Sequence, residues 1–177
     1  VEPESQIIGR TRELGELIDL LTQPSTRLVT LLGPGGIGKS TLAGLVAARL
    51  RSAFTDGVFE IAVAALKQAD QIYPAIADAI GLKPIGERPL PPQLFAHLVG
   101  KRMLLILDNV EQLVEGAQHF TAVVDGAPGV SILTTSRERL NLQDEVVFRL
   151  DGLPLPSNTG AEANESVALF LRHALRT

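Results

Sequence analysis

Gly33-Pro34-Gly35-Gly36-Ile37-Gly38-Lys39-Ser40 fits G-x-x-x-x-G-K-[S/T] at every position, and Thr41 follows. Each residue type has a physical reason in a phosphate-binding loop. Glycines let the backbone curl so that successive N–H groups point into one concavity and hold phosphate oxygens. The lysine reaches the outer phosphates, and the serine hydroxyl suits Mg²⁺. A helix starting at the loop aims the positive end of its dipole at the same place. The flanks agree. Arg27 to Leu32 is a short apolar run that reads as a buried strand, and Leu42, Leu45, Val46 and Leu50 fall at helical spacing. Strand, glycine loop and helix come in the order the motif requires, which an incidental glycine-rich turn would not need. Gly33, Pro34, Gly35, Gly36, Ile37, Gly38, Lys39, Ser40 and Thr41 are therefore the candidate nucleotide-binding loop.

The other elements extend outward from it. Thr11 to Leu21 predicts an amphipathic helix with Leu14, Leu17, Ile18 and Leu21 on one face, ended near Pro24. After the loop's own helix, to about Ala53, Asp56-Gly57 signals a turn, and Val58 to Val63 predicts a second strand. Ala69 to Ile80 predicts a helix stopped by Gly81, Lys83 to Pro92 a proline-rich loop, and Gln93 to Val99 a short helix with Pro92 at its start. Met103 to Leu107 is an apolar strand running into Asp108. Leu113, Ala117, Phe120 and Val124 mark the next helix. Val130 to Thr135 predicts a fourth strand, Glu145 to Leu150 a fifth at the sheet edge, Gly152 to Pro156 a linker, and Val167, Phe170, Leu171 and Ala174 the start of a last helix. Strands alternating with helices predict an α/β fold with a mostly parallel five-stranded sheet between helical layers. The domain reading is a lead segment at 1–21, a nucleotide-binding core at 22–156 and a helical segment beginning at 157–177. The opening Val1 and the apolar periodicity that reaches Thr177 suggest a piece of a longer protein.

Composition narrows the function classes. Hydrophobic residues make up 45% and aromatics 4%, so the core is aliphatic, which suits a sheet covered on both faces. The net charge of −4, with no basic run, argues against direct nucleic-acid binding by this segment. There is no cysteine, hence no disulfide or thiolate metal site, consistent with a cytoplasmic setting. No membrane-spanning run or signal peptide is visible.

Four residues beyond the loop carry candidate chemistry. Asp108 ends an apolar strand at the edge where ligands of open α/β sheets lie, so with Ser40 it is the candidate Mg²⁺ site; the alternative is a simple helix N-cap. Asn109 can orient water but cannot take its proton. Glu111 could serve as a general base, or could only favour the first turn of a helix, and both readings stay open. Arg137, closing the fourth strand, could meet a γ-phosphate rather than pair on the surface with Glu138 or Asp144. Lys39, Asp108, Asn109, Glu111 and Arg137 are thus the catalytic candidates. His97, His119 and His173 have no ligand spacing and read as partly exposed helix positions.

Together these segments resemble the STAND signalling ATPases, which include the NB-ARC proteins. Ile7-Ile8-Gly9-Arg10-Thr11-Arg12-Glu13-Leu14 is similar to their lead-in. Leu32 to Ala43 resembles their phosphate loop. Leu104-Leu105-Ile106-Leu107-Asp108-Asn109-Val110-Glu111 looks like the version found in bacterial regulators, and Ile132-Leu133-Thr134-Thr135-Ser136-Arg137-Glu138 looks like their sensor strand. The resemblance implies a P-loop NTPase with strand order 5-1-4-3-2 that binds ATP or ADP with Mg²⁺. It places Ile8, Gly9 and Arg10 beside the adenine and Arg137 on the γ-phosphate. It further implies a helical lid, starting near Glu165, then winged-helix and sensor domains, and self-assembly of the active state. Gly152-Leu153-Pro154-Leu155 looks like a later family element but comes too early to be given an adenine contact. Many relatives carry a second acid directly after the metal-binding aspartate. Here that residue is Asn109, so slow hydrolysis is the expectation. The alternatives are an AAA-like turnover ATPase or phosphotransferase, and a scaffold that holds ADP without hydrolysis.

Overall fold

A computed structural model of the chain describes residues 10–61, 63–64 and 66–152. Ile8, Gly9, His173, the linker from Leu153 on and the expected lid helix lie outside the described residues.

The strands are β1 (Leu28–Leu32), β2 (Gly57–Ile61), β3 (Met103–Leu107), β4 (Val130–Ser136) and β5 (Glu145–Arg149). They form one sheet in the order β2-β3-β4-β1-β5, with every neighbouring pair parallel. This is the expected 5-1-4-3-2 order read from the opposite edge. Central β3 and β4 are buried along their whole length, whereas β2 and β5 at the edges are mostly half-exposed. That difference explains why Met-Leu-Leu-Ile-Leu is continuously apolar while the edge strands admit Glu60 and Arg149.

Helices cover both faces. On one, α1 (Thr11–Thr22) and α2 (Lys39–Leu50) press Leu14, Leu17, Leu42 and Val46 onto Val29, Leu31, Leu104, Ile106 and Leu133. On the other, α3 (Ile72–Ala79), α4 (Leu90–Leu98) and α5 (Gln118–Gly126) bring Ile76, Leu94, Leu98, Phe120 and Val123 onto Leu105, Leu107 and Ile132. Among the described residues no helix is long and apolar enough to cross a membrane.

Several boundaries differ from the sequence expectation. The second strand stops at Ile61, and Val63 is buried beyond its end. The fourth helix starts at Leu90 rather than Pro92, taking both Pro91 and Pro92 into its first turn. Prolines are tolerated there because first-turn N–H groups have no intrahelical partner. Two helices expected to be continuous open with 3₁₀ turns, Ala69–Gln71 before α3 and Glu111–Gly116 before α5. Hydrophobic spacing at three and four residues does not distinguish these from α-helix.

The entries to β2 and β3 are tied together by Asp56. Its carboxylate accepts the Arg102 backbone N–H at 2.9 Å and the Lys101 ammonium at 3.0 Å. The Arg102 N–H bond, followed by the Lys101 bond, holds its pKa below the usual carboxylate range. A carboxyl group with a depressed folded-state pKa stabilises the fold above its unfolded value, and loses that contribution as pH falls through the folded one. The urea midpoint of Asp56→Asn should therefore lie below wild type at pH 7, with the gap closing as pH drops below about 4. A gap that stays constant with pH would mean that this pairing does not stabilise the fold.

Candidate nucleotide site

The site is built at the carboxyl ends of β1, β3 and β4. Register sets it: Leu32 lies beside Ser136, and Leu107 beside Thr134, so the segments that follow these strands emerge together. The loop from Gly33 to Gly38 leaves β1 and turns into α2. Gly36 and Gly38 adopt positive φ, 76° and 98°, which a side chain would strain. Gly38 caps α2, whose first backbone bond runs from Leu42 N–H to the Gly38 carbonyl at 2.9 Å. The N–H groups of the first turn thus face the loop's concavity without intrahelical partners.

Lys39 folds back across this concavity. Its ammonium donates to the carbonyls of Gly33 (2.8 Å) and Pro34 (3.0 Å), and the residue is only 9% exposed. Ile37, by contrast, packs against the core beneath the loop. At the next position, the Ser40 hydroxyl donates to Asp108 Oδ1 at 2.8 Å. The same oxygen accepts the Thr135 hydroxyl at 2.5 Å, and Thr135 Oγ1 accepts the Asn109 N–H at 2.8 Å. Asn109 sits at φ 64°, a left-handed conformation that asparagine tolerates better than most residues. Asp108 is therefore held between the phosphate-loop helix and the neighbouring strand.

A cavity of about 290 Å³ lies over the loop. Gly35, Gly36, Gly38, Lys39, Ser40 and Thr41 of the loop and its helix line it together with Asn109, Thr135 and Arg137. Arg137 lies close to the loop: a Cβ on Gly35 would meet its Nη2 at 3.2 Å. Behind Ser40, Asp108 and Asn109 a second cavity of about 510 Å³ opens toward Glu60 on β2. Glu111 lines neither cavity. Its Oε1 accepts the Arg137 backbone N–H at 3.0 Å and faces Arg137 Nε at 3.6 Å.

Arg10 stands apart from the phosphate cavity. It precedes α1, is 8% exposed, and donates to Glu13 and to the Asp151 carbonyl, each at 2.6 Å. It fastens the start of α1 to the chain leaving β5. His97 is exposed on α4, and His119 meets the Tyr73 hydroxyl at 2.9 Å, both away from the lining of the phosphate cavity. The sequence motif included Thr135 but gave it no role. Its signal was position: the residue lies beside Leu31 at the end of a buried strand, where a hydroxyl has no packing reason to be.

The donor set suits Mg²⁺. Ser40 and Asp108 present hard oxygen ligands within hydrogen-bond distance of one another. Among the described residues no group of three or more His, Cys, Asp or Glu forms a protein cage. Mg²⁺ in nucleotide sites is held in this way, by one or two protein oxygens with water and phosphate completing the shell.

Comparison with known proteins agrees with this geometry. The family model for the NB-ARC domain matches residues 10–147. The uncharacterized protein Rv0894 of Mycobacterium tuberculosis is 34% identical over 179 residues, covering 97% of this chain and 42% of its own length. Rv0890c of the same organism, named as an HTH-type transcriptional regulator, is 32% identical over 151 residues, covering 85% of this chain and 16% of its own. The regulatory protein AfsR of Streptomyces coelicolor is 29% identical over 155 residues, 77% of this chain and 15% of that protein. The chain thus spans less than half the length of these relatives. Among solved structures, Cdc6p from Pyrobaculum aerophilum superposes with a TM-score of 0.67 at 19% identity, over 82% of this chain and 46% of that one, a likeness of fold. With the glycine loop, the aspartate that follows β3 and the arginine that follows β4 all at the carboxyl edge of a five-stranded parallel sheet, this chain belongs to the NB-ARC family of P-loop NTPase domains.

Proposed function

We propose that this domain is the ATP/ADP switch of a STAND-type regulator, binding nucleotide with Mg²⁺ and hydrolysing ATP slowly. The observation that carries the reading is that Arg137 lines the same cavity as Lys39, Ser40 and Thr41 of the phosphate loop. An arginine there distinguishes a triphosphate from a diphosphate, and that difference in contact is what lets a nucleotide bias a two-state arrangement of domains. The loop N–H groups and Lys39 hold the phosphates. Ser40 and Asp108 would hold Mg²⁺, which neutralises phosphate charge. Thr135 keeps Asp108 in place, and Asn109 can orient water without accepting its proton, in keeping with slow turnover.

In this reading residues 1–21 lead into the core, with Ile8, Gly9 and Arg10 beside the adenine, residues 22–156 form the core, and residues 157–177 begin a helical lid. The length of the relatives, one of them named as an HTH-type transcriptional regulator, supports a role within a longer regulator, which in this reading works in the cytoplasm. Winged-helix and sensor domains and self-assembly on activation belong to the same proposal.

Asp108→Ala supplies the test of the metal role. Ser40 and Thr135 lose a shared acceptor, but Asp108 is exposed, so the fold should persist. ATP affinity measured with Mg²⁺ should fall by roughly tenfold, the scale of one lost charged contact, while affinity measured in a chelator should change little. Equal loss in both conditions, or none in either, would leave Asp108 as a structural tie between Ser40 and Thr135. Steady-state phosphate release separates the slow switch from a fast turnover ATPase and from an ADP-holding scaffold.

A further inference from the structure

Glu111 is the acid next in line after Asp108, and hydrolysis would need a carboxylate with an oxygen free to receive a proton from water. The structure gives Glu111 different surroundings. Oε1 is engaged by the Arg137 backbone N–H at 3.0 Å and by the ion pair with Nε at 3.6 Å. Oε2 is shut away from solvent with no hydrogen-bond partner among the described residues. Neither the phosphate cavity nor the cavity behind it is lined by Glu111, whereas Arg137 lines the phosphate cavity directly.

The Arg137 guanidinium meets both residues. A Cβ on Gly35 of the phosphate loop would lie 3.2 Å from its Nη2 and 3.5 Å from its Nε, and Nε also faces Glu111 at 3.6 Å. Glu111 can therefore hold the arginine by its backbone and its Nε while Nη2 stays beside the loop. Arg137 is 63% exposed, so without such a tether its long side chain would sample many rotamers, and ordering it would cost entropy when a phosphate arrives.

We propose that Glu111 is a positioning residue that presets Arg137 over the phosphate loop, and so sets how strongly the site prefers a nucleoside triphosphate to a diphosphate. This rests on the reading of the domain as a nucleotide switch sensed by Arg137. It assigns Glu111 no proton transfer.

The experiment is a double-mutant cycle on the 177-residue chain, with ATP and ADP affinities measured by calorimetry and phosphate release measured alongside. Glu111→Gln keeps the size and an acceptor for the Arg137 N–H but removes the charge. It should weaken ATP binding roughly two- to fivefold, the range of a solvent-exposed ion pair, and leave ADP unchanged. Glu111→Ala, which also removes the backbone bond, should weaken ATP binding further. Neither substitution should add to the ATP loss already caused by Arg137→Ala, because the effect passes through that side chain. Thermal unfolding of Glu111→Gln close to wild type assigns its ATP loss to the site; a broad loss of folding would overturn the positioning role in favour of a structural one. Unchanged affinities with a fall in phosphate release would make Glu111 a base, and additivity with Arg137→Ala would equally overturn the proposal. If Arg137→Ala itself leaves ATP affinity untouched, the switch reading fails first and takes this proposal with it. If that effect is present but Glu111→Gln is silent, the positioning role alone fails.

Discussion

Lys39→Ala should abolish measurable nucleotide binding, with the affinity for ADP falling roughly a hundredfold or more. A hydrogen bond to a charged group is worth about 1.5–3 kcal/mol, and a lysine in a phosphate loop serves more than one phosphate. The geometry makes the expectation sharper. Lys39 is the cation in the loop itself, its ammonium already lies within the concavity on the Gly33 and Pro34 carbonyls, and it is almost fully enclosed. Replacing it removes positive charge from a site that must take up several negative ones, and leaves two loop carbonyls without that donor. The core should be indifferent, since Lys39 belongs to neither apolar cluster. Lys39→Met keeps the aliphatic stem and separates charge from packing. Calorimetry with ADP is the measurement, with thermal unfolding as the check on folding. Unchanged ADP affinity in either variant would remove the assignment of this loop to phosphate.

Much of this site is legible along the chain because its parts are local. The loop needs glycines at fixed spacing with a lysine after them, and an apolar strand must end at Asp108 for an acid to reach the cleft. Both are properties of short stretches, and the structure places them together. The strand order followed from resemblance and not from periodicity, since alternation of strands and helices permits several orders. What the chain conceals are contacts made across the register. Thr135 bonds to Asp108 from 27 positions away, and Arg137 meets Glu111 from 26 away. Neither pairing has a sequence signature, because each depends on β3 and β4 lying side by side with Leu107 opposite Thr134. The 3₁₀ turn at Glu111–Gly116 was hidden for a related reason. Leu113 in the turn and Ala117 just beyond it are both buried, and their spacing of four reads as one face of a continuous α-helix although the pitch changes between them. That turn also carries Glu111 toward Arg137, so the residue whose role sequence left open is the one whose local geometry sequence could not fix.

Arg137→Ala should discriminate between the two nucleotides: ATP affinity should fall about tenfold or more, and ADP affinity should stay within about twofold of wild type, on the scale of one charge-assisted contact. The structure favours a clean experiment. Arg137 is 63% exposed on its side chain, so truncation leaves no buried cavity, and its backbone N–H bond to Glu111 survives the substitution. Lys39 and Thr41 line the cavity independently of it, so a loop that holds the inner phosphates would keep doing so without it. Selective loss for ATP is what a sensor of the terminal phosphate requires, because a ligand shifts a two-state equilibrium only by its difference in affinity for the two states. A tenfold ratio corresponds to about 1.4 kcal/mol, enough to bias a near-balanced pair of domain arrangements but far short of the roughly 5.5 kcal/mol that a complete switch demands. If the ATP loss comes out near tenfold, Arg137 alone cannot throw the switch, and other contacts that differ between the two nucleotides must supply the remainder. Equal losses for ATP and ADP would instead place Arg137 on the inner phosphates and take from the domain its means of telling one nucleotide from the other.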